Sequence, residues 1–349
     1  MKIELGISTF GETTPLEKTG VAPTHDERIR QLVKEIELAD EVGLDIYAIG
    51  EHHRADFAVS APEIVLAAGA VNTKTIRLSS AVTVLSSIDP IRAYQQYATI
   101  DALSNGRAEM MVGRGSFIES FPLFGYDLRD YERLFTEKLD MLLTIKHNEI
   151  LNWQGDLTQT VDHRGVYPRA VQEDFPIWVA TGGNVQSTIH IAELGLPIAY
   201  AIIGGNPMAF KPLIEAYREI GQRVGHSESQ LQVAAHSWGF IAEDSAEAKA
   251  KYFHPTKHLV DQIAKERDHW RGDYTQADYE QAIGPNGAMF VGNPQEVADK
   301  LIQMIEKLGL NRFMLHLPIG SMAHEDVLKA IELFGKEVAP KVREYFANK

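Results

Sequence analysis

Residues 76–116 read "IRLSSAVTVLSSIDPIRAYQQYATIDALSNGRAEMMVGRGS". The first ten form an apolar, β-favouring run that reads as a strand. Residues 89–106 open on Asp-Pro and close on Asn-Gly, residues that start and stop a helix. Residues 107–113 then give a second apolar run. Strand, helix, strand in so short a span is a βαβ unit, and its two strands run parallel because the helix carries the chain back.

Outward from this unit the pattern repeats. Further strands are expected at 2–8, 45–50, 176–181, 198–203, 231–241 and 311–317, making eight in all, with amphipathic helical stretches between them. Eight strands each followed by a helix, in a chain longer than the usual ~250 residues, predict an α/β TIM (β/α)8 barrel with insertions; a doubly wound open sheet is the runner-up. The surplus falls before strand five, where 148–175 read as a β-hairpin excursion, and between strands seven and eight, where 244–292 form a long, partly helical insertion. Both are expected at the barrel rim, where long insertions build or cover sites. No low-complexity tract or Pro/Ser linker divides the chain, so residues 1–349 read as a single domain.

Composition narrows the chemistry. The chain has no cysteine, which removes disulfides, thiolate nucleophiles and sulfur-ligated metals, so any redox work falls to a bound cofactor. With 34 Lys+Arg against 48 Asp+Glu, the net charge of -14 would repel phosphate backbones, which speaks against a nucleic-acid or acidic-membrane partner. No apolar run approaches the roughly 20 residues of a membrane helix, and the first residues read as a strand rather than a leader, so a cytoplasmic location is expected.

In a TIM barrel the carboxyl ends of the strands face the site. Strand two ends in Glu51, His52 and His53; strand four in Gly113, Arg114, Gly115 and Ser116; strand five in Thr181, Gly182, Gly183 and Asn184; His236 and His316 lie on strands seven and eight. The stretch ATGGNVQS, residues 180–187, lets backbone approach a ligand and begins a helix whose free N–H groups favour an anion, with Thr181 and Ser187 offering hydroxyls. Alone it reads equally as a tight turn. Joined to Arg114 on the neighbouring strand, whose guanidinium can grip a phosphate by two hydrogen bonds, it favours a phosphate site. Three readings stand open for the histidines: core residues, metal ligands with His236 and His316, or groups beside a cofactor able to exchange a proton near a pKa of about 6.5. Phe117, Phe121, Phe124 and Tyr126 read as packing beneath a loop, or as contacts to a flat ligand.

The EHH triplet after strand two, the stretch from Ser79 to Gly115, VGRGS after strand four, FGYD before helix four and TGG after strand five resemble, in this order and over nearly the whole chain, the bacterial-luciferase-like flavin monooxygenases. The resemblance implies an enzyme that uses reduced FMN, supplied by a separate NAD(P)H-dependent flavin reductase, and O2 to oxygenate a small organic substrate, often as a homodimer. It puts the FMN phosphate at Arg114, Gly115 and the loop Thr181, Gly182, Gly183, Asn184 and Ser187. It puts a non-prolyl cis peptide under the flavin at Ala81–Val82, and flavin chemistry at His52. Gly113 stands where luciferases carry a reactive cysteine, so light emission is not implied. Alternatives are deazaflavin-dependent hydride transfer on the same fold, a metal-dependent barrel hydrolase using the histidines, and a catalytically silent flavin-binding protein. The aliphatic helix face at 64–71 is a candidate subunit contact.

Overall fold

The computed structural model describes residues 2–115, 117–266 and 272–349. Eight parallel strands form its centre: Glu4–Thr9, Ile46–Ile49, Arg77–Ser80 continuing as Thr83–Val84, Met110–Gly113, Ile177–Thr181, Ile198–Ala201, Val233–Ile241 and Arg312–His316. Their hydrogen-bonded order runs third, second, first, eighth, seventh, sixth, fifth, fourth. The fourth then meets the continuation of the third through Thr83–Val112 and Val84–Gly113, with a parallel bridge from Leu78 to Ala108. The sheet therefore returns on itself, and the expected barrel holds in place of the open sheet.

The strands close in this way because they are buried on both faces. Their outward side chains join the helices in one large core, whereas Ile46, Ala48, Met111, Trp178, Ala199, Ala234 and Met314, drawn from six different strands, pack as a separate cluster inside the barrel. Below that cluster the interior is plugged by charge. Arg312, 3% exposed, donates to Glu109 at 2.6 and 3.0 Å and to Glu4 at 2.6 and 2.8 Å, and lies over the Trp178 ring at 4.1 Å.

Helix boundaries follow the caps read from sequence. Asp89 accepts from the Arg92 N–H at 2.9 Å, Asn184 from Ser187 at 2.9 Å and Asn293 from Glu296 at 3.0 Å; Gly106 and Gly309 leave helix ends at φ of 83° and 66°. The two surplus regions part company. Strands Ile150–Trp153 and Val161–Gly165 form the expected antiparallel hairpin, but the chain from 171 to 172 is tied to Asp101 near the end of helix Pro90–Ser104, and no residue of 148–175 lines the principal cavity. That corrects the expectation that this hairpin serves the site: it follows a helix, and although Gln159 in its turn donates to Asp89 at 2.7 Å, it stays outside the cavity lining. The other insertion consists of helix Ser245–Glu266, helix Gln276–Ile283 and a short strand, Phe290–Gly292, which pairs with the upper end of Val233–Ile241. Leu259 and Ile263 of its first helix face the cavity.

Candidate active site

A cavity of about 470 Å3 opens at the carboxyl ends of the strands, within the usual size range of small-molecule sites. Its walls are largely apolar.

One side is built by the fourth and fifth strands. Arg114 leaves the end of Met110–Gly113 and donates to the Ser187 hydroxyl at 3.1 Å and to Glu132 at 2.7 Å. Ser187 lies in the first turn of helix Val185–Glu193, whose cap is Asn184. Thr181 and Gly182 line the cavity beneath that turn; a Cβ on Gly182 would meet nothing within 4 Å, so the space beside its backbone is open, and Gly183 takes a φ of 99° to enter the helix. Gly183, Asn184 and Ser187 stand outside the cavity lining itself, Ser187 joining it through Arg114. Sequence reasoning missed Glu132. It holds one arm of Arg114, so an anion must share or displace it, and its side chain, 76% exposed, is free to turn into solvent. Gly115 anchors this side by accepting from the Tyr131 hydroxyl at 2.5 Å. Ser116 lies outside the described residues.

The floor is the break in the third strand. The Ala81–Val82 peptide is cis, at the position expected, and both residues line the cavity. Gly113 packs against it: a Cβ there would come within 2.8 Å of Val82 Cγ2, so a larger residue at this position would push Val82 into the cavity. Glu51 holds the break from the other side. Its N–H donates to the Val82 carbonyl at 3.2 Å, and its carboxylate accepts the Val84 N–H at 2.8 Å and pairs with His53 at 2.8 Å.

His52 points away from that pair. Its ring is stacked on Phe57 at 4.3 Å and meets Phe10 and Phe117 edge-on at 4.6 and 5.0 Å, while the His52 backbone N–H donates to the Val59 carbonyl. Phe117 thus contacts the cavity, whereas Phe121 is buried and Phe124 exposed. Phe10, which sequence reasoning passed over, lies 4.6, 6.1 and 4.3 Å from the rings of His52, His236 and His316, so a phenyl ring fills the space among the three histidines. His316 is turned to buried Glu12 at 2.9 Å. Among the described residues no group of three or more His, Asp or Glu side chains is placed to hold a metal ion. His236 lines the cavity with its Nε2 buried and, among the described residues, without a hydrogen-bond partner; burial first, and His316 second, hold its pKa well below the usual histidine range.

A pocket with an arginine and a helix start at one side, a floor of small residues and an aromatic wall can hold a phosphorylated, flat cofactor and an apolar molecule beside it. The profile of the luciferase-like monooxygenases matches residues 3–312. The chain belongs to this family. It is an enzyme, a monooxygenase of the oxidoreductase class. This luciferase-like monooxygenase is 26% identical over 328 residues to the N-acetyl-S-alkylcysteine monooxygenase of Bacillus subtilis (strain 168), covering 88% of this chain and 92% of that one. Its fold is similar to that of the oxygenating constituent of 3,6-diketocamphane monooxygenase from Pseudomonas putida, solved in complex with FMN, with a TM-score of 0.77 at 18% identity over 98% of this chain and 99% of that one. It is also similar to the coenzyme F420 dependent tetrahydromethanopterin reductase from Methanopyrus kandleri, with a TM-score of 0.74 at 20% identity over 97% and 99%.

Proposed function

We propose that this monooxygenase works with FMN, delivered in reduced form by an NAD(P)H-dependent flavin reductase, to oxygenate a small organic substrate without emitting light. The observation that carries this reading is the meeting of Arg114 and Ser187 at the start of a helix, beside an open, apolar cavity. The residues present fit the cofactor. Arg114, Thr181, Ser187 and the free N–H groups of the helix start would take its phosphate, and the open space at Gly182 admits the chain that carries it. The flat ring would rest against Ala81 and Val82. When bound, reduced FMN supplies the electrons that activate O2, one oxygen atom passing to substrate and the other leaving as water.

The protein's own part is binding, exclusion of water and handling of a proton. Phe10, Phe57 and Phe117 make a dry wall around His52, and the contacts of its ring support a role in which it would hold or move a proton beside the bound flavin. Glu51 keeps the floor in position. We further propose a cytoplasmic homodimer: among the described residues no helix is long and apolar enough to cross a membrane, and Ile64 and Val71, one face of helix Pro62–Asn72, are 65% and 63% exposed. A monomer mass by light scattering at micromolar concentration would remove the dimer.

The reading is tested by titrating the purified protein with FMN and, separately, with a deazaflavin cofactor, following flavin fluorescence. Tighter binding of FMN, with O2 uptake on mixing the protein with reduced FMN, is expected. Preference for the deazaflavin, with no O2 uptake, would replace oxygenation with hydride transfer.

A further inference from the structure

We propose that His236 is a specificity-determining residue that hydrogen-bonds the substrate, and that the substrate is an uncharged, largely apolar molecule carrying a hydrogen-bonding oxygen. This rests on the reading of the cavity as a flavin monooxygenase site and goes further by naming what enters it.

The charged groups that line the cavity are already engaged. Glu51 is engaged by Val84 and His53, Glu119 by Arg54, and Arg114 by Ser187 and Glu132. A substrate carboxylate or ammonium would have to break one of these pairs or enter unpaired, and an unpaired buried charge is strongly disfavoured. Among the described residues of the lining, Ser120 Oγ and the half-buried His236 ring lack a protein hydrogen-bond partner. Ser120 begins the short helix Ser120–Phe124, which packs through Phe121 on Tyr131 and through Phe124 on His53, away from the seventh strand. His236 stands across the barrel on the seventh strand, at the level of Met314.

Its surroundings define the rest of the ligand. Trp238, two residues along the same strand, also lines the cavity, as do Leu259 and Ile263 from the insertion and Phe10 from the loop after the first strand. One unmatched nitrogen in an apolar pocket asks for one polar atom on an apolar body. The imidazole is kept neutral by burial and by its neighbour His316, so it is suited to an uncharged oxygen rather than to an anion. The half-buried ring meets the cavity with no protein partner, and a ligand oxygen that reaches it supplies one.

The test uses three probes of similar size: acetophenone, ethylbenzene, which lacks the oxygen, and benzoylformate, which adds a carboxylate. Affinities are measured by calorimetry for the FMN-saturated protein and for the protein alone. Wild type should bind acetophenone about three- to tenfold more tightly than ethylbenzene, the range of one neutral hydrogen bond, and benzoylformate more weakly than acetophenone. His236→Leu should erase the preference for acetophenone while leaving ethylbenzene within about threefold. His236→Gln, which restores a polar atom, should recover part of it, which separates hydrogen bonding from mere packing. Persistence of the preference in His236→Leu, or tighter binding of benzoylformate, would overturn the proposal. Failure of FMN to bind, with the His236-dependent preference intact in the protein alone, would overturn the flavin reading and leave this one standing.

Discussion

The ring of His52 lies flat on Phe57 and edge-on to Phe10 and Phe117, whereas His53, the next residue, pairs with Glu51. The alternation of adjacent side chains already separates the two histidines in the sequence; the aromatic cage around one of them was not readable, because Phe10, Phe57 and Phe117 come from three separate loops. Proton handling by a positioned imidazole contributes about 10²- to 10⁴-fold in rate. His52→Ala is therefore expected to slow the reaction of the reduced-FMN protein with O2 and substrate by that order, with FMN affinity changed by no more than about threefold, since the anchor lies elsewhere. Stopped-flow absorbance and a parallel FMN titration check both halves, and wild-type rates in the variant would assign His52 to packing. Arg114 alone reads as a surface charge, and it became a candidate only through the neighbouring 180–187 loop, whose Ser187 it does meet. Its partner Glu132 was not legible, because an exposed glutamate in the first turn of a helix reads as an ordinary solvated charge.

At the scale of elements, the third strand is interrupted and then held. Arg77–Ser80 and Thr83–Val84 flank the cis Ala81–Val82 peptide, and Glu51 spans the break by accepting the Val84 N–H and donating to the Val82 carbonyl. Removing its carboxylate leaves a buried N–H unmatched, which costs about 1–3 kcal/mol. Glu51→Ala should lower stability by about that amount and weaken FMN binding as the floor loosens, with Glu51→Gln milder because its amide oxygen still accepts. Denaturant unfolding with and without FMN measures the two effects; a variant of wild-type stability and wild-type FMN affinity would show that Glu51 does not hold the floor. The strand itself was legible as the single apolar run 76–85, and its break was implied by the resemblance rather than by any local pattern. The insertion at 244–292 was legible as surplus, but that Leu259 and Ile263 face the cavity depends on how the long helix lies across the mouth, where Gln262 reaches Asp56 at 3.0 Å. The hairpin looked equivalent in sequence and differs because it follows a helix instead of a strand.

For the whole molecule, the barrel was readable from eight periodic runs, and its interior plug was not. Glu4, Glu109 and Arg312 each look like charges at strand starts, and their meeting joins positions 203 and 308 residues apart. Breaking such a buried set by removing one partner typically costs about 3–5 kcal/mol, so Arg312→Met should lower stability by that order at neutral pH. Glu4 sets the pH dependence. Burial alone would raise its pKa, but Arg312 outweighs it and holds the carboxyl below its usual 4.5. A depressed carboxylate adds stability above its unfolded pKa and loses it as pH falls through the folded value, so the melting curves of wild type and Arg312→Met should converge below about pH 4.5. A gap that stays constant as the pH falls well below 4.5 would show that the plug does not act through a charged Glu4.

The proposed phosphate anchor at Arg114 and Ser187 is what would make the cavity an FMN site. The direct measurement is the affinity of wild type and Arg114→Ala for FMN and for riboflavin, which lacks the phosphate. A charge-assisted hydrogen bond is worth about 1.5–3 kcal/mol, so the substitution should weaken FMN by roughly 10- to 150-fold and leave riboflavin nearly unchanged. Equal losses for the two flavins, or no loss for either, would contradict it.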